Sequence, residues 1–158
     1  MKKNIRVVLF GELLLIAAVF LYNISINSGL SSIAWFIDLP SILLILLILI
    51  PGLLIMGEWK DFIKAFSVGI KEFGLLELKN IIEAVDAAQK LTLYAALFTI
   101  IISGVLVMGQ LGDISMIGPN LAICFLAGFY AIIIEIFLLP LKINAERKMN
   151  EEMDFGDE

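Results

Sequence analysis

Two carboxylates stand inside runs that are otherwise apolar: Glu135 in AIIIEIFLLP (131–140) and Glu12 in VVLFGELLLI (7–16). At the centre of a spanning helix a charge costs about 2.5–3.5 kcal/mol on insertion scales, so such groups face a bundle interior or a water-filled cavity and mark ion routes. Glu135 lies about one and a half helical turns from Pro140, and Glu12 is at a similar depth counted from Arg6. That depth lowers the cost and permits snorkelling toward the interface. Three uses follow for the pair: sharing a polar site in the cytoplasmic leaflet, binding a cation, or pairing with lysines at the inner rim, as a structural contact or as part of an ion route. Other chemistry has little material. The chain has no histidine and a single cysteine, Cys124, hence no intramolecular disulfide and no cluster for a transition metal. The sequence points to no enzyme, no metal and no cofactor.

The elements that must hold these carboxylates follow from composition. Apolar residues make up 61% of the 158 and charged residues 17%, with a mean hydropathy of +1.02. These values belong to integral membrane proteins rather than soluble domains. The expected fold is all-α, with four spans at about 7–24, 36–56, 91–108 and 120–141 and a short helical segment at 57–90. Residues 1–150 read as one membrane domain and 151–158 as a solvated acidic tail. The first apolar run is long for a signal peptide, and the small-x-small site Ser32-Ile33-Ala34 is too far downstream, so a retained helix is expected. All 11 Lys and Arg residues fall before the first span, at 57–90, or after the fourth, while the connections 25–35 and 109–119 hold none. The positive-inside rule then places both termini and the 57–90 segment in the cytoplasm.

Local signals refine this plan. Asp38, followed by Pro40, is expected to cap the second span rather than bind an ion, and Ile117-Gly118-Pro119-Asn120 to open the fourth in the same way. Pro51-Gly52 falls inside the second span, where a lost backbone donor predicts a kink. Tyr22 and Trp35 suit the outer interface and Trp59 the inner one. Trp59, Phe62, Ile63, Phe66, Ile70 and Phe73 recur at helical steps, predicting an amphipathic helix. After Gly74 the period continues into the third span, which is expected to project as one longer helix.

In lipid, small side chains let helices approach, so their spacing marks the packed faces. Ala95, Thr99 and Ser103 repeat at four-residue steps in the third span, with Thr92 and Ala96 beside them. Ala127, Ala131 and Glu135 repeat likewise in the fourth, with Cys124 and Gly128 beside them. Glu135 therefore belongs to a packing stripe.

These residues carry a resemblance. FIDLPS at 36–41 resembles the opening of a membrane helix in MotA-type flagellar stator proteins, and GVLVMGQLGDISMIGPNLA at 104–122, Phe129-Tyr130 and LLPL at 138–141 resemble the last two helices of the MotA/TolQ/ExbB proton channel family. The resemblance covers about 33–147. It implies a cyclic homo-oligomer, pentameric in that family, in the bacterial cytoplasmic membrane. Such a ring surrounds a single-span MotB/ExbD/TolR-like partner, usually dimeric, whose Asp accepts protons. Thr99 and Ser103 match the hydroxyl residues that line the path, and Ala95, Ala127, Gly128 and Ala131 the small residues around them.

The departures also bear on function. Where the family often has paired threonines before the tyrosine, this chain has Ala127-Gly128. The 57–90 segment is far shorter than that of flagellar stators, and Glu135 stands where better-known members have a small or amide residue. The leading expectation is a compact stator-type subunit of a proton- or sodium-driven membrane motor. The alternatives are a non-conducting scaffold ring and a self-contained cation channel using rings of Glu135.

Overall fold

A computed structural model describes residues 5–27, 36–109, 111–112 and 114–156. Lys2, Lys3, the Ser32-Ile33-Ala34 site and Trp35 lie outside these residues. The described chain forms α1 (Ile5–Asn27), α2 (Leu39–Met56), α3 (Trp59–Ala65), α4 (Leu75–Gly109) and α5 (Ile114–Gly156). All but α3 are long and apolar enough to cross a membrane. Their outer faces carry large apolar side chains, with Ile55 86% and Phe125 72% exposed. Water tolerates such surfaces only as small patches, whereas lipid accepts them throughout. The four-helix, multi-pass architecture expected from composition is thus present.

The helices α4 and α5 form the backbone of the molecule. At 35 and 43 residues they extend about 52 and about 64 Å, well beyond a hydrocarbon core of about 30 Å. Every charge in α4 precedes Leu91, and every charge in α5 except Glu135 follows Pro140. Both helices therefore continue past their apolar parts as a charged antiparallel pair. This matches the projection expected for the third span. The acidic tail continues α5 to Gly156, with residues 151–154 exposed and Lys148 and Glu151 paired one turn apart.

Residue size along the α4–α5 seam changes with its surroundings. At the charged end, Leu78, Ile81 and Val85 share a core with Leu138, Leu141 and Ala145, joined by Leu49 and Leu53 of α2. Large aliphatic groups serve there because water outside drives their burial. Between the apolar runs the buried residues of α4 become Thr92, Ala95, Ala96, Thr99 and Ser103, opposite the buried Ala127 and Ala131 of α5. Lipid tails compete equally for apolar surface, so close approach through small residues takes over.

The start of α2 is fixed twice. Asp38 Oδ2 accepts from the Ser41 amide at 3.2 Å, the expected cap. The Tyr130 hydroxyl accepts from the Asp38 amide and donates to the Phe36 carbonyl, both at 2.6 Å. Phe36 also stacks edge-on against Phe20, with ring centroids 4.9 Å apart, and both lie 5.9 Å from Phe129. Downstream, α2 passes through Pro51 as one helix and comes close to α4: a Cβ on Gly52 would lie 2.8 Å from Leu91 Cδ1. Gly57 ends α2 at φ +80, with the Gly57 and Glu58 amides returning to the Leu54 and Leu53 carbonyls.

Two expectations are corrected. The helix that carries the fourth span begins at Ile114 rather than at the Ile117-Gly118-Pro119-Asn120 motif, with Pro119 inside it; proline there removes one backbone bond close to the helix start. The amphipathic period from Trp59 to Phe73 forms a helix only as far as Ala65. Beyond it the chain turns, with Gly69 at φ +90, a conformation no right-handed helix contains. Asn144 Nδ2 donates to the Val68 carbonyl at 3.0 Å and holds that turn against α5. Lys64 reaches Asp61 at 2.8 Å and Glu77 at 3.5 Å, tying α3 to the first turn of α4.

Candidate functional site

Polar residues recur along the α4 face that meets α5: Asp86, Gln89, Thr92, Thr99 and Ser103, at steps compatible with one helical stripe. Thr99 and Ser103 are 1% and 4% exposed in the single chain. The Thr99 hydroxyl donates to the Ala95 carbonyl at 2.9 Å, satisfying itself within α4. Ala95, Ala127 and Ala131 are buried with them, whereas Gly128 is half-buried. A Cβ at Gly128 would meet Ile100 Cδ1 at 3.9 Å, an ordinary contact. The small-residue stripes of the third and fourth spans thus lie buried within one subunit.

Glu135 sits lower on the same seam. Gln89 Nε2 donates to Glu135 Oε2 at 2.9 Å, while Oε1 is buried without a hydrogen-bond partner among the described residues. Cross-contacts fix the register: Lys142 to Asp86, Glu135 to Gln89, and Cys124 to the Ile100 carbonyl. One turn up α4 corresponds to one turn back along α5, so Thr92 lies at the level of Ala131 and Glu135. Thr92 is fully buried and its hydroxyl has no partner among the described residues. A carboxylate with one oxygen held by an amide and the other uncommitted accepts a proton or coordinates a cation without surrendering its anchor.

Below Glu135 the seam closes on charges. Asp86 accepts from Lys142 at 2.7 Å and pairs with Lys90 at 2.6 Å. The hydrogen bond from Lys142, then that from Lys90, holds the Asp86 carboxyl below the usual carboxylate range. Glu12 has one oxygen buried without a partner, and among the described residues no hydrogen bond joins it to Glu135 or to a lysine. Among the described residues, then, no hydrogen bond joins the two carboxylates into a shared site.

Gln89 and Tyr130 contribute more than the sequence reading assigned. Gln89 stands three residues before Thr92 on the stripe, a spacing that singles it out once Thr92 is known to be buried. Tyr130 has no such signal, because its partners are backbone groups 92 and 94 residues away. Among the described residues, no group of three or more His, Cys, Asp and Glu side chains is placed to hold a metal. Neither protein-family models, nor curated proteins, nor solved structures provide a match to this chain.

Proposed function

We propose that this chain is the ring-forming subunit of a proton- or sodium-driven stator-type membrane motor. It works with a single-span MotB/ExbD/TolR-like partner, two copies per ring, in the bacterial cytoplasmic membrane with both termini inside. The observation that carries the reading is the polar stripe of α4, whose Gln89 holds Glu135 of α5 next to the part of the seam built from small residues. The order of FIDLPS and the IGP-to-LLPL block supports it. Tyr130 of the second block bonds directly to the backbone around FIDLPS, so the two parts of the resemblance form one structural unit.

Thr99 and Ser103 are covered by α5 in the isolated subunit. A route lined by them thus requires α4 and α5 to part when the ring and partner assemble, or runs along the seam itself. Membrane vesicles from the native host, carrying Thr99→Leu with Ser103→Leu or Glu135→Gln, test the reading through ion flux. Flux is expected to fall to background in both. Flux unchanged in both, with the complex intact, contradicts it.

A second reading, a non-conducting scaffold ring, is favoured by one observation: Thr99 already satisfies its hydroxyl on its own helix, and Ala127 stands in place of a second hydroxyl. Ion uptake that depends on this chain excludes that reading. A self-contained channel requires conductance without a partner and its loss on Glu135→Gln.

A further inference from the structure

A cavity of about 430 Å³ opens between the end of α2 and α4, where α4 passes from charged to apolar residues. Its lining combines apolar Met56, Leu91 and Tyr94 with charged Glu58, Glu83, Asp86 and Lys90. The position follows from the fold. Gly57 ends α2 at this level, and Lys90 is the last charge of α4 before its apolar run. In a membrane, this is the depth of phospholipid headgroups.

The charges in the cavity are separated. Asp86 is shared by two ammonium groups, Lys90 of the cavity lining at 2.6 Å and Lys142, which reaches it from α5 at 2.7 Å, so Asp86 neutralises Lys90 only in part. Glu83 has only Lys79, at 3.8 Å and well exposed, and the Glu58 carboxylate has no partner among the described residues. The cavity thus offers one ammonium, that of Lys90, and the carboxylates of Glu58 and Glu83 beside apolar side chains. We propose that it binds the headgroup of a zwitterionic aminophospholipid, phosphatidylethanolamine in class. Lys90 takes the phosphate, Glu58 and Glu83 take the primary ammonium, and the acyl chains run along Met56, Leu91 and Tyr94. An anionic headgroup meets the carboxylates as a repulsion, and a trimethylated one offers them no N–H donor.

This inference rests on the membrane reading and is independent of ion coupling. The test is native mass spectrometry of the full-length protein, delipidated and then titrated with dioleoyl phosphatidylethanolamine, phosphatidylglycerol or phosphatidylcholine. Phosphatidylethanolamine is expected to be retained about fivefold more than the other two, the size of one exposed charge contact. Glu58→Gln with Glu83→Gln removes the preference, while Glu72→Gln, outside the cavity, keeps it. A second measurement uses only the unaltered protein: stepwise N-methylation of the headgroup lowers retention step by step. Equal retention of all three lipids, preference for phosphatidylglycerol, no retained lipid because a neighbouring subunit covers the cavity, or indifference to methylation each overturns the proposal.

Discussion

At the scale of single residues, Tyr130 shows how one side chain positions an element. Its hydroxyl is at once acceptor and donor for two backbone groups at the start of α2. Tyr130→Phe leaves both without that partner in a part-buried place, at a cost of about 1–3 kcal/mol. Thermal unfolding in detergent should show the loss, with helix content unchanged below the transition. Glu135 presents a different logic. Its anchor, Gln89, comes from the neighbouring helix, and its other oxygen has no hydrogen-bond partner among the described residues. Anomalous residue type in an apolar run made Glu135 visible in the sequence, and small-residue spacing did the same for Thr99, Ser103, Ala127 and Ala131. Gln89 was hidden because an amide near charged residues looks like ordinary helix surface.

At the scale of elements, hydrophobic runs and caps were legible, and breaks in backbone direction were not. Asp38 and Pro40 announce the start of α2 because they act within four residues of each other. The end of α3 depends on Gly69 and on Asn144 of α5, which chain-local periodicity does not contain. Gly57 is the clearest local device: at φ +80, alanine is strained even though nothing obstructs its Cβ. Gly57→Ala is expected to cost about 1–2 kcal/mol, read as a lower unfolding temperature, while the open position Gly74 should tolerate alanine with a smaller change. The Asp86 cluster that joins α4 to α5 adds a pH dependence. Because its folded-state pKa is depressed, its contribution is present above the unfolded value of about 3.9 and is lost as pH falls through the lower folded value. Partial exposure limits that contribution to about 1 kcal/mol or less. Asp86→Asn should lower stability at pH 7 and flatten the acid limb of the stability profile, checked by denaturation between pH 7 and pH 3.

At the scale of the whole molecule, four apolar helices of unequal length define the design. Two short ones, α1 and α2, lean on a long antiparallel pair that extends beyond the apolar region and carries the charges. Large apolar side chains cover the outer surface of the spans, so both lipid and further subunits have surface to engage. Composition made the membrane class legible, and the cation distribution gave an expected orientation. Assembly was not legible, because contacts between separate chains belong to no single chain. The measurement that bears most directly on the ring-and-partner proposal is native mass spectrometry of the complex extracted gently from its own membranes. The proposal predicts five copies of this chain with two copies of a single-span protein that carries a membrane aspartate. A bare homomeric ring or a monomer, reproduced across detergents and without any copurifying chain, contradicts it.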